Sequence, residues 1–164
     1  MPLTDVTEKD IESVSKQLGR PARDIVGIAA RCVCGNPVVV QTKPRLEDGT
    51  PFPTVYYLTL PAATSAVSTL EATGLMNELQ NRLTQEPELA ASYAMAHQSY
   101  LDDRAKLGDV EEIDGISAGG MPTRVKCLHS LVAHSLAKGP GVNLIGDLAL
   151  EACSWSPNRC VCEK

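Results

Sequence analysis

Residues 125–141, VKCLHSLVAHSLAKGPG, gather one thiol and two of the chain's three imidazoles, Cys127, His129 and His134. A thiolate is a nucleophile and a metal ligand, and an imidazole is a ligand or an acid–base catalyst near neutral pH. The stretch has a helical period. At about 100° per residue, Val125, Leu128, Leu131, Val132 and Leu136 form one apolar arc, with His129 at its edge. Cys127 and His134, seven positions apart, share the other side, so a helix carrying both arcs is covered on two sides. Two turns place them about 10 Å apart along the axis, too far for direct contact between nucleophile and base or for one tetrahedral ion without ligands from elsewhere.

The other ligands available are two C-x-C pairs, Cys32 with Cys34 and Cys160 with Cys162. Each lies at a turn or in a tail, where free backbone amides support thiolates. The candidate metal set is Cys32, Cys34, Cys127, His129, His134, Cys160 and Cys162, and the expected occupant is zinc or an iron–sulfur cluster. The specific expectation is that the sulfurs at 32, 127 and 160 or 162 converge. C-x-C is a looser signal than paired C-x-x-C, and a buried thiol also packs as a small hydrophobe, which suits Cys127 and Cys153.

A second chemistry competes with the first. Gly119-Gly120 stand before the helix, with Arg124 and Lys126 close behind, and Arg45 lies in the proline-rich loop KPRLEDGTPFP. Together they offer an anion site for an enzyme acting on a phosphorylated or carboxylated small molecule, with Cys127 or His134 as the catalytic group. No G-K-[ST], G-x-S-x-G, H-E-x-x-H or dinucleotide fingerprint accompanies them. His97, one turn beyond Tyr93, is expected to pack beside tyrosines.

These residues need a frame to hold them. Thr7 and Asp10 open a helix over residues 8–18 that Gly19 ends. DIVGIAARC and PVVVQTK flank Cys34-Gly35-Asn36-Pro37 as a hairpin, and TVYYLTL supplies a third strand. From Ala62 the period is helical, with Val67, Leu70, Leu75, Leu79 and Leu83, then a fresh start at Pro87 carrying Leu89, Tyr93, Tyr100 and Leu101. DVEEIDGISAGG is expected to be a mobile connection into a helix that starts after Pro122. A shorter helix spans about 144–152, and residues 153–164 form an irregular cysteine-bearing tail. The expected fold is α+β, a single domain over 1–164 in which a small antiparallel sheet of about three strands in the N-terminal third packs against a bundle of helices.

Composition narrows the partners. The net charge of −5 is concentrated between residues 61 and 121, and only 4% of residues are aromatic, so nonspecific nucleic-acid binding and base stacking are not expected. No apolar run of about 18 residues and no leader pattern is present, which makes a cytoplasmic protein without a membrane partner the default. As a third reading, the acidic helices from 61 to 121, whose acids include Glu111 and Glu112, are the contact face of a protein-interaction module linked to cell division.

DIESVSKQLGRPARDIVGIAARC, PRLEDGTPFPTVYYLTLP and GGMPTRVKCLHSLVAHSLAKGPGVNLIGD, in that order, resemble the bacterial family catalogued as domain of unknown function 501. The resemblance covers nearly the whole chain and lends no established activity. It implies a single-domain cytoplasmic protein encoded near cell-division and phosphate-metabolism genes, and a K-C-L-H…A-H segment matched by Lys126, Cys127, Leu128, His129, Ala133 and His134. It also implies a cysteine-bearing tail. In some relatives a further cysteine stands where this chain has Leu60, so a site that needs that thiol is altered here.

Overall fold

The computed structural model describes residues 3–162. The first helix, α1 (Glu8–Leu18), opens on a capping box: the Thr7 hydroxyl accepts from the Asp10 N–H and the Asp10 carboxylate accepts from the Thr7 N–H. It ends at Gly19, whose φ of 71° is the left-handed cap a side chain would resist.

Strands β1 (Ile25–Arg31), β2 (Pro37–Thr42) and β3 (Tyr56–Leu58) form one antiparallel sheet in the order β1-β2-β3. Every residue of β2 is buried, because both faces of the sheet are covered. Ile28 and Val40 pack with Val14 of α1 on one face, whereas Ala29 and Val39 join the main core, the alternation a pleated strand imposes.

That core is built by α2 (Pro61–Glu71), α3 (Leu75–Gln85), α4 (Pro87–Ala105), α5 (Leu128–Lys138) and α6 (Leu144–Ala152), with a 3-10 turn at Glu111–Ile113. The expected α+β class is what the chain adopts. The central helix is α5, packed on α2, α6 and β3, and Leu131 through Ala137 are buried without interruption. Its contact with α6 is close: a Cβ at Gly146 would sit 2.2 Å from the Leu131 carbonyl oxygen. Gly146→Ala must push the two helices apart. It is expected to cost about 2 kcal/mol, measured as a lowered urea midpoint with an unchanged slope.

Two expectations change. The connection over DVEEIDGISAGG is anchored: Val110, Ile113, Ser117 and Ala118 are buried, and the Arg104 guanidinium, itself buried, donates to the carbonyls of Pro53, Ile113 and Ile116. A desolvated guanidinium needs these acceptors, so the loop closes over it. The helix expected after Pro122 starts only at Leu128, and residues 119–127 form turns in which Arg124 and Lys126 donate to the Gly120 and Gly119 carbonyls. Among the described residues, no helix is long and apolar enough to cross a membrane. The last two residues of the predicted tail lie outside the described residues.

Candidate metal centre

Four of the six sulfurs meet. Cys32 follows β1 directly, and its backbone closes the hairpin turn: its N–H donates to the Asn36 carbonyl at 2.9 Å and its own carbonyl accepts from Gly35 at 2.8 Å. Gly35, at φ 95°, supplies the positive φ of that turn. The turn is braced from outside. Arg31 makes a bidentate pair with Asp10 at 2.8 Å per bond and also donates to the Gly35 carbonyl at 3.0 Å, so α1 fixes the loop that presents Cys32 and Cys34. The same guanidinium holds the Asp10 carboxyl down at about 2.

The other pair arrives from the tail. After α6 the chain buries Trp155, and the Val33 N–H donates to the Pro157 carbonyl at 3.3 Å, which ties the tail to the hairpin turn just before Cys160 and Cys162. The thiols of Cys32, Cys34, Cys160 and Cys162 all lie within 4.8 Å of one another. Cys32 is buried, Cys34 exposed and the tail pair half-buried. Burial pushes the Cys32 and Cys162 thiols up, whereas the Asn36 N–H draws Cys34 down to about 7.

Cys127 and His129 belong to a second group, with Glu71. The expectation that Cys127 would join the sulfurs at 32 and 160 or 162 is thus replaced by two separate clusters. The cause is backbone geometry: Cys127 precedes the first helical residue with φ −148° and ψ 107°, so the helical phase that aligned it with His134 does not apply. Glu71 explains where α5 begins. One of its carboxylate oxygens accepts from the Leu128 N–H at 2.8 Å, and the other lies 3.0 Å from His129 Nδ1. A carboxylate at the positive end of α5 is favoured twice, by the helix dipole and by the hydrogen bond.

His134 is in neither cluster. It is fully buried, stacked on Tyr56 at 5.9 Å and edge-on to Tyr100 at 5.0 Å, with Nδ1 3.1 Å from the Asn143 amide nitrogen. Enclosed among aromatic rings, it is neither a ligand to the four-cysteine group nor a base within reach of Cys127 in this fold. His97 meets Ser117 Oγ at 2.7 Å and is held below its usual range by burial.

The expected anion ligands Arg45, Arg124 and Lys126 are all exposed. Arg45 pairs with Glu112 at 2.7 Å on the surface, a contact that also ties down one of the two acids proposed as a partner face. Arg124 and Lys126 are exposed in the turn before α5, whose first N–H is already taken by Glu71. The glycine pair serves that turn instead: a Cβ at Gly120 would meet the Arg124 carbonyl oxygen at 2.7 Å.

The residue missed from sequence is Glu71. It left one signal: an acid as the last residue of α2, where the helix dipole disfavours negative charge and a compensating partner is needed.

No curated protein and no solved structure matches the chain. A family model matches residues 28–151, a span that includes Cys32, Cys34, Glu71, Cys127 and His129 and stops short of Cys160 and Cys162. With most of its length matched, the chain belongs to the family described as Protein of unknown function (DUF501).

Proposed function

We propose that the protein holds a single zinc ion on Cys32, Cys34, Cys160 and Cys162, and that this ion fastens the C-terminal tail to the β1–β2 hairpin. The observation that carries the reading is the mutual 4.8 Å limit on the four thiols. A tetrahedral ion with Zn–S bonds of about 2.3 Å needs sulfurs about 3.8 Å apart, a small contraction from this arrangement. An iron–sulfur cluster spreads its thiolates over several irons held apart by bridging sulfides, so the compact group favours a mononuclear centre. All four positions are sulfur, which leaves no open place for water or substrate, and the role of such a site is structural.

Elemental analysis of protein purified under reducing conditions without a polyhistidine tag tests this. One equivalent of zinc is expected, and cobalt substitution should give the intense thiolate charge-transfer and tetrahedral d–d absorption of an S4 site. The Cys160→Ser/Cys162→Ser double variant should lose the metal, and Cys127→Ser should keep it. Metal-free folded protein, or metal that leaves with Cys127 and stays with the tail variant, would overturn the reading.

A further inference from the structure

The second cluster does something the metal centre does not need. His129 sets Nδ1 3.0 Å from the Glu71 carboxylate and Nε2 3.2 Å from both the Thr64 carbonyl oxygen and the Ser68 hydroxyl. The carboxylate and the carbonyl can only accept, so together they favour the ring that donates from both nitrogens, the imidazolium. Such a ring has no lone pair to give a metal. It stands beside Cys127, whose sulfur is also 3.5 Å from the Ser130 hydroxyl, at the positive end of the 11-residue helix α5. Imidazolium and hydroxyl together favour the thiolate.

These groups open onto a cavity of about 430 Å³, bounded by Phe52, Thr54, Tyr57 and Leu58 on the sheet side and by Cys127, His129 and Ser130 on the helix side. Apart from the Cys127–His129 pair its wall carries no acidic or basic side chain, and Arg45, Arg124 and Lys126 do not line it. The occupant that fits is therefore uncharged at its bound end, with an aliphatic or aromatic body.

We propose that Cys127 is the nucleophile of a thiol acyl-transfer site that takes an uncharged, apolar acyl ester or thioester, with His129 as its acid–base partner and Glu71 as the residue that positions His129. The Cys127 thiolate attacks the carbonyl carbon; the C–S bond forms, the carbonyl electron pair moves to oxygen and returns, and the bond to the leaving oxygen or sulfur breaks. The leaving group takes a proton from His129. Water then attacks the thioester and gives its proton to the neutral imidazole, which releases the acid and restores the thiolate–imidazolium pair without any oxidant or reductant. The direction of both titrations agrees: His129 is raised to about 9, chiefly by Cys127, and the Cys127 thiol is lowered despite its burial, by His129 and Ser130.

The test uses the full-length metal-loaded protein and p-nitrophenyl butyrate. A stoichiometric burst of p-nitrophenolate is expected, with peptide mass spectrometry placing a butyryl group on Cys127. Cys127→Ser should abolish the burst, and His129→Gln should slow acylation at pH 7 at least tenfold. Glu71→Gln keeps one acceptor oxygen for the Leu128 N–H that caps α5, so the fold stands, and turns its NH2 group toward His129 Nδ1 in place of the carboxylate. It should move the pH midpoint of iodoacetamide alkylation at Cys127 upward, toward that of a free thiol, which loss of a merely structural contact would not do. A butyryl group found only on other cysteines, or alkylation of wild-type Cys127 that follows a free thiol, overturns the proposal. So does a second equivalent of metal that disappears with Cys127→Ser.

Discussion

Removing the metal is expected to lower the melting temperature by roughly 10–20 °C and to release the tail before the rest of the fold unfolds. The four thiols bring positions 32–34 and 160–162 together, so the proposed ion would close a loop of more than 100 residues. A cross-link of that span removes about 4–5 kcal/mol of chain entropy from the unfolded state, and in a chain of this size each kcal/mol moves the melting temperature by about 2–4 °C. The remaining ties between tail and hairpin are few: the Val33–Pro157 hydrogen bond and the packing of Trp155. Treatment with a high-affinity chelator at neutral pH, followed by calorimetry and hydrogen exchange, should show the thermal shift together with fast exchange in residues 153–162 and 32–36. Cys32→Ser should reproduce both. Cys153→Ser, at a sulfur outside the cluster, should reproduce neither. A chelator that strips the ion while leaving melting and tail exchange unchanged would refute the stapling role.

The parts of this design visible in sequence are those fixed by local chemistry. Thr7, Asp10 and Gly19 mark both ends of α1 because a capping box and a left-handed glycine act within one turn of chain. Cys34-Gly35-Asn36-Pro37 marks the hairpin for the same reason, and Pro87 sits in the first turn of α4, where a missing N–H costs nothing. The C-x-C pairs announced themselves as ligands. That the two pairs face one another depends on α6 delivering the tail beside the first hairpin, which no local pattern encodes. The same limit explains Cys127: its phase relative to His134 was counted along a helix, and α5 begins one residue later because a carboxylate 57 positions away caps it. His134 carried an even weaker signal, since a histidine packed among tyrosines from β3 and α4 reads in sequence like any polar residue on a helix.

His134 should make the fold acid-sensitive in a defined window. The Asn143 side-chain oxygen accepts from the Gly146 N–H at 3.0 Å, which turns its NH2 group toward His134 and makes Nδ1 the acceptor. The proton therefore sits on Nε2, which has no partner. A second proton, on Nδ1, would face a donor and put a cation among buried rings, so burial holds the imidazole down at about 4. An unfolded histidine titrates near 6.5. Between those values the unfolded chain takes up a proton that the folded chain refuses, so stability is complete above about pH 6.5 and is lost as the pH falls toward 4. At about 1.4 kcal/mol per pH unit the full loss is roughly 3 kcal/mol. Asp10 and Asp103 are both held below the usual carboxylate range, so their own losses begin lower. Comparison with His134→Phe cancels the slope that any other group adds in this window. That variant leaves the Asn143 amide short of one acceptor, a cost of about 1–3 kcal/mol that does not vary with pH. Urea midpoints at pH 7 and pH 4.5 should therefore fall steeply for the wild type and distinctly less for His134→Phe. Parallel pH profiles for the two proteins would mean that the buried ring accepts its proton in the folded state.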